Sequence, residues 1–180
     1  MRKYVQEGEK VLNLFAYTGV ASLMCAASGA EVTHVDASKT SVTWAKKNQE
    51  LSNLQDKKIR WLVDDVQKFV AKEVRRGNTY DWIVLDPPSF GRGNNKEVWI
   101  IEEHLNNLML SLAKLKSSTF KGVLLSSHSP GYSAKALDNV LKTTGFNENF
   151  SLCEEMLIEN ELCPLPSGDC AWRTTFAIES

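Results

Sequence analysis

The order of its apolar runs constrains this chain more than any other feature. Strand-length runs alternate with helical patterns from about residue 10 to about residue 144, and that alternation argues for a parallel sheet with crossover helices. "KVLNLF" (10 to 15), "EVTHVD" (31 to 36), "KIRWLVDD" (58 to 65), the start of "YDWIVLDPPSFGRG" (80 to 93) and "GVLLSS" (122 to 127) read as five strands. The helices lie between them. Residues 19 to 28 are small and apolar and are expected to be buried; residues 40 to 52 place Trp44, Ala45, Asn48 and Leu51 on one face. Val66, Phe69, Val70 and Val74 form a stripe ended by Gly77, and Ile101, Leu105, Leu108, Leu112 and Leu115 recur at near-heptad spacing. Ser133 is placed to cap a last helix.

The final third changes character. Residues 148 to 158 and 170 to 178 alternate, the second run with Cys170, Trp172, Thr174, Phe176 and Ile178 on one face, and "ENELCPLPSGD" joins them. Two such runs around a Pro-rich loop predict an antiparallel hairpin. The expected architecture is therefore α/β: a mostly parallel seven-stranded sheet ending in an antiparallel hairpin, with helices on both faces. A chain of 180 residues suits one domain with one substantial core. Its first strand starts only some ten residues in, and a cofactor-binding α/β domain needs a cover for its pocket. The chain therefore reads as a catalytic core lacking an amino-terminal part of the protein.

Charge and cysteine content exclude more than they assign. With 21 basic and 22 acidic side chains the formal net charge is -1, so no global field draws the chain to nucleic acid or membrane. A nucleic-acid partner must then be held by a local patch or by other parts of the protein. Cys25, Cys153, Cys163 and Cys170 show neither CxxC spacing nor a dense framework, and no signal peptide or membrane-length apolar run is visible. A reduced, cytoplasmic setting is the simplest reading. The Cys163 to Cys170 spacing also permits a disulfide or a metal half-site, but two ordinary thiols flanking a loop account for it better. No two histidines have metal-ligand spacing, and His34 and His104 read as structural or surface residues.

In an open parallel sheet, ligands bind beyond the carboxyl ends of the strands, so the residues found there carry the functional argument. Strand one runs into "NLFAYTG", where Gly19 either lets a ligand approach free amides at a helix start or simply makes a tight turn. Strand two ends in Asp36, suited to accept both hydroxyls of a ribose or to cap the next helix. Strand three ends in Asp64 and Asp65, one suited to an adenine amino group and the other to a cap. Strand four ends in Asp86, Pro87 and Pro88. Because Asp86 and Pro87 each precede a proline, both are confined to extended backbone and the corner is stiff. Neither proline has an N–H, which leaves nearby carbonyls and the Asp86 carboxylate available to an outside donor, with Phe90 able to stack on a heterocycle.

Taken in order, "NLFAYTG", "HVDAS", "DD" and "DPPSF" resemble the motifs of class I S-adenosylmethionine-dependent methyltransferases, and more narrowly the large-subunit ribosomal RNA methyltransferase I and K group. The resemblance runs from about residue 8 to about residue 130. A dehydrogenase would ordinarily show GxGxxG where this chain has Phe15-Ala16-Tyr17-Thr18-Gly19. The resemblance implies S-adenosylmethionine as cofactor, with Phe15, Tyr17, Thr18 and Gly19 at its methionine end, Asp36 on the ribose, and Ala37 and Ser38 beside the adenine. Asp65 and Val66 would contact the adenine, while Asp86, Pro87, Pro88 and Phe90 would face the methyl-accepting base. Asn48 matches an asparagine of the family and reads as a structural amide. No metal is implied.

The resemblance also narrows the reaction. Methylation at C5 of cytosine requires a cysteine to add to the ring first. Family members that do this carry it in the loop after strand five, where "SSHSPG" (126 to 131) has Ser129 instead. Serine is a weak nucleophile without a base, and the adjacent His128 is expected to point to the opposite face. The expected reaction is methylation of ribosomal RNA at a base nitrogen, guanine favoured, with Arg92 and Lys96 of "GRGNNK" and the missing amino-terminal part available for phosphates. The competing readings are a cytosine C5 methyltransferase, a nicotinamide-dependent oxidoreductase and a non-catalytic relative of the same fold.

Overall fold

Residues 3–93, 97–158 and 165–177 are described by a computed structural model. Cys163, Lys96 and Ile178, which enter the sequence reading, lie outside the described residues. The strands are β1 (Lys10–Leu14), β2 (Glu31–Asp36), β3 (Ile59–Val63), β4 (Trp82–Leu85), β5 (Phe90–Arg92), β6 (Val98–Ile100), β7 (Gly122–Ser127), β8 (Phe150–Ile158) and β9 (Leu165–Thr174). The helices are α1 (Val20–Ala27), α2 (Lys39–Leu51), α3 (Val66–Arg76), α4 (Ile101–Leu112) and α5 (Ala134–Thr143).

Seven strands form one sheet in the order β3-β2-β1-β4-β7-β9-β8. The first five in that order pair parallel, and β9 runs antiparallel to both β7 and β8. The order follows from burial. Strands β1 and β4 carry apolar side chains toward both faces and sit at the centre, with Leu12, Leu14, Ile83 and Leu85 packed under α3, α4 and α5. On the other face Val11, Val32, Trp82 and Val84 meet Cys25 and Ala26 of α1. Tyr4 and Phe176 extend that second layer, and Phe176 stands edge-on to Trp82 at 5.8 Å. The near-heptad residues, four in α4 and Leu115 just beyond it, are all buried, as their spacing predicts. Ser133 caps α5 by accepting from the Ala136 amide at 3.3 Å.

Two details differ from the periodicity. Trp44 and Leu51 of α2 are exposed; Ala45 of the expected face does turn inward, together with Ser41 and Val42. Helix α2 approaches the β1–α1 loop so closely that a Cβ on Gly19 would lie 2.9 Å from the Ala45 Cβ, which selects small residues at the contact. In α1, likewise, Val20 and Met24 are exposed, and only one side is buried. The antiparallel hairpin carries a charge its apolar alternation does not announce. Buried Arg173 donates from Nε (2.8 Å) and Nη2 (2.5 Å) to Asp138 of α5, itself fully buried. Burial alone would raise the Asp138 carboxyl, but Arg173 and Lys142 hold it below its ordinary range.

Candidate functional site

The chain leaves β1 for β2 and β3 on one side, then crosses back to β4 on the other. The loops after β1 and β4 therefore diverge, and a crevice opens between them at the carboxyl end of the sheet. The β1–α1 loop on its floor is strained. Phe15 (φ 51°) and Tyr17 (φ 46°) are left-handed without being glycine, a cost of roughly 1 kcal/mol each. Their neighbours hold them there. The Ala16 amide donates to the Val35 carbonyl (3.2 Å), the Tyr17 amide to Asp36 Oδ2 (2.9 Å), and Asn48 Nδ2 to the Thr18 carbonyl (3.0 Å). Asn48 is thus a structural amide that ties α2 to the loop. The Gly19 amide is engaged inside the turn, donating to Ala16 at 2.9 Å, and is not left open to an anion.

Below this loop lies a buried polar chain. Asn13 Nδ2 donates to Ser22 Oγ (2.8 Å), and the Ser22 hydroxyl lies 2.9 Å from His34 Nδ1. His34 is fully buried, its Nε2 has no hydrogen-bond partner, and burial lowers its pKa to about 4. It is a neutral structural histidine.

The next two strand ends supply carboxylates. Asp36 does not cap α2; Ser38 does, accepting from the Ser41 amide at 3.1 Å. Asp36 instead joins two loops, its oxygens accepting from the Tyr17 and Ser38 amides (2.9 and 2.8 Å). Asp65 caps α3 through the Lys68 amide (2.9 Å) while still facing the crevice, and Asp64 pairs with Lys72 (2.7 Å). One residue, Asp65, therefore both caps the helix and lines the crevice.

The corner after β4 is built into a small ribbon. Strands β5 and β6 pair antiparallel, a ribbon absent from the strands read in the sequence. Trp99 of β6 turns inward, packs against Phe15 at 4.8 Å between ring centroids, and donates its indole N–H to the Pro88 carbonyl at 2.7 Å. One of the carbonyls expected to be open is thus taken. His104 stacks on Trp99 and accepts the Ile100 amide at 3.0 Å. The Ser89 hydroxyl donates to buried Ser129 Oγ at 2.8 Å, which ties the corner to the end of β7. Phe90 points outward, 53% exposed, with the Arg92 guanidinium 5.7 Å from its ring centroid.

Together these parts enclose a cavity of about 540 Å³. Phe15, Tyr17, Asp36, Ala37, Ser38, Asp65, Val66, Asp86, Pro87 and Pro88 all line it. Thr18, Gly19 and Phe90 are not part of its lining, and its aromatic surface comes from Phe15, Tyr17 and Trp99. Ser129 and His128 also line it together. Strand alternation separates neighbours only within a strand, and β7 stops at Ser127. His128 Nε2 lies 3.6 Å from Asp86 Oδ2, and its Nδ1 contacts the Ser167 carbonyl; its partners are not Ser129. Sequence reasoning missed Trp99, which sits in a strand of three residues, too short for any period to appear.

The donor set suits a cationic nucleoside. Asp36, Asp65 and Asp86 arrive from successive strand ends, while Val66, Ala37, Phe15 and Trp99 supply apolar and aromatic surface for a flat ring. Comparison with known proteins agrees. Residues 1–128 match the family model described as S-adenosylmethionine-dependent methyltransferase. The chain is 39% identical over 115 residues to ribosomal RNA large subunit methyltransferase K/L of Shewanella baltica, a match covering 63% of this chain and 16% of that protein. Its namesake from Pseudoalteromonas translucida is 36% identical over 122 residues, covering 65% and 17%. The chain thus spans under a fifth of the length of these relatives. The solved SAM-dependent methyltransferase of Agrobacterium tumefaciens superposes with a TM-score of 0.90 at 38% identity, covering 96% of this chain and 58% of that one. This chain belongs to the S-adenosylmethionine-dependent methyltransferase family.

Proposed function

We propose that the chain is the catalytic domain of a longer enzyme that methylates ribosomal RNA at a base nitrogen, with guanine the favoured base. The observation that carries this reading is the single cavity that joins the three carboxylates to the Asp86-Pro87-Pro88 corner. When bound, S-adenosylmethionine supplies a methyl group already activated by its sulfonium centre. The chain's own residues then bind, align and exclude water. In this reading Phe15 and Tyr17, on the floor shaped by Thr18 and Gly19, border the methionine end. Asp36 accepts from the ribose, and Ala37, Ser38, Asp65 and Val66 border the adenine.

Asp86 and the Pro87 carbonyl face the acceptor base. No donor reaches that carbonyl among the described residues, and a stiff Pro-Pro corner holds it in place. Phe90 and Arg92, at the outer lip, suit a stacked neighbouring base and a phosphate. A nitrogen acceptor is favoured because no cysteine lines the cavity among the described residues, and the Ser129 hydroxyl is buried against Ser89. RNA as the substrate class rests on the names of the relatives. Among the described residues no helix is long and apolar enough to cross a membrane, and we place the protein in the cytoplasm with its RNA.

Labelled methyl transfer to ribosomal RNA from a strain lacking this gene, followed by nucleoside analysis, tests the reading. N-methylated guanosine is expected; label in 5-methylcytosine would overturn the nitrogen assignment. Calorimetry with S-adenosylhomocysteine checks the cofactor site separately.

A further inference from the structure

We infer that His128 takes the proton that an exocyclic amine releases as it is methylated, a role resting on the nitrogen-acceptor reading above. The geometry that points to it is an enforced tautomer. A carbonyl oxygen can only accept, so the contact between His128 Nδ1 and the Ser167 carbonyl places the ring hydrogen on Nδ1. The neutral ring then presents an unprotonated Nε2 toward the cavity, 3.6 Å from Asp86 Oδ2.

The hairpin is shaped for this contact. The register of β8 with β9 shifts between Met156 and Leu157, beside Gly168. A Cβ on Gly168 would lie 2.7 Å from His128 Nδ1 and 2.8 Å from the Ser127 carbonyl oxygen. Only a glycine lets the imidazole seat against Ser167. Strand alternation alone accounts for none of this, since His128 lies beyond the end of β7.

The chemistry needs such a group. The lone pair of an exocyclic amine is conjugated with its ring and becomes nucleophilic only as an N–H bond is lost. The nitrogen forms its bond to the methyl carbon while the carbon–sulfur bond breaks, with that electron pair left on sulfur. The amine proton passes to His128 Nε2, giving an imidazolium beside the Asp86 carboxylate. More than half of the His128 side chain is exposed, so the proton leaves to water. The second amine hydrogen is left to the Pro87 carbonyl, which holds the nitrogen in line, while the Asp86 carboxylate faces the imidazolium as it forms. Guanine N7 has no proton to lose and would need no such residue.

The other charged groups near the ring have different partners. Asp169 of β9 accepts the Ala134 amide at 2.8 Å, Glu97 pairs with Lys68 at 2.5 Å, and Arg92 lies over Phe90.

Two readouts test the inference in the complete protein. Nitrogen-15 resonance of labelled histidines, with the His128 signal identified by its loss in His128→Gln, is expected to show the Nδ1–H tautomer; the Nε2–H tautomer overturns the assignment. In single-turnover transfer to ribosomal RNA from a strain lacking the gene, His128→Gln is expected to be slower by about a hundredfold or more. It should lose the acid limb of the wild-type pH profile while keeping its affinity for S-adenosylhomocysteine. Added imidazole should partly rescue His128→Ala, and the product should be an N-methylated exocyclic amine. Transfer at the wild-type rate by His128→Gln, or 7-methylguanosine as product, removes this inference alone. No transfer by the wild type removes the RNA reading and this inference together.

Discussion

Acidification should destabilise this fold through His34 before its carboxylates begin to matter. Burial lowers the His34 pKa from 6.5 to about 4, so the unfolded chain takes up a proton that the folded chain refuses. Linkage sets the sign: stability is full above the unfolded value and is lost as pH falls toward the folded one. At about pH 5 the unfolded imidazole is mostly protonated and the folded one is not, a difference of about 2 kcal/mol; the limit at lower pH is about 3 kcal/mol. The structure explains why protonation is resisted. Ser22 Oγ, which already accepts from Asn13, lies 2.9 Å from Nδ1, and Nε2 has no acceptor to meet a full charge. The assay is urea unfolding of wild type and His34→Asn at intervals from about pH 7.5 to about pH 5. Asparagine keeps an acceptor for Ser22 but does not titrate. The variant should be less stable at the upper end, and the gap should narrow by about 2 kcal/mol across the range. Glu73, Asp81 and Asp138, all held below their ordinary range, are present in both proteins and cancel. A gap that stays constant with pH would refute the reasoning, because it would mean that His34 titrates alike in the folded and unfolded chains.

Replacing Asp36 with alanine removes the proposed ribose acceptor and leaves the Tyr17 and Ser38 amides without partners. Affinity for S-adenosylhomocysteine should fall about ten- to a hundredfold by calorimetry. In Gly19→Ala the new methyl meets Ala45 at 2.9 Å with φ at +87°; thermal unfolding should show a loss of about 2 kcal/mol. Trp99→Phe deletes the indole donor to Pro88, and single-turnover methyl transfer should slow about tenfold with a smaller change in cofactor affinity. Arg173→Leu leaves the buried Asp138 carboxylate with Lys135 and Lys142 as its remaining partners and should cost about 2 kcal/mol in urea unfolding.

The middle of the sheet was legible because β1, β2 and β4 are buried on both faces and therefore read as continuous apolar runs between helical stripes. The strand-end acids and the Asp-Pro-Pro corner stand out because a charge or a proline pair abruptly ends each apolar run, although Asp36, Asp64 and Asp65 also have structural partners. Long-range contacts were not. Nothing local in the sequence relates Arg173 to Asp138, or Ser167 to His128, because those pairs exist only once the hairpin has folded back over α5 and β7. The β5–β6 ribbon was unreadable because three-residue strands carry no period. The face of α2 was misjudged at Trp44 and Leu51 because the demand for a small residue comes from Gly19, some twenty-six positions away.

The ribbon has a consequence for how such enzymes diversify. Its two ends are stitched together where the Ile101 amide donates to the Ser89 carbonyl at 3.1 Å, and its inner attachment to the corner runs through one indole. A segment closed at its base in this way can be lengthened, shortened or exchanged without disturbing the strands on either side. Strands β5 and β6 thus form a unit of their own. An altered ribbon should change the acceptor side and leave the half of the crevice under β1, β2 and β3 as it is, provided that the Trp99 indole still reaches the Pro88 carbonyl.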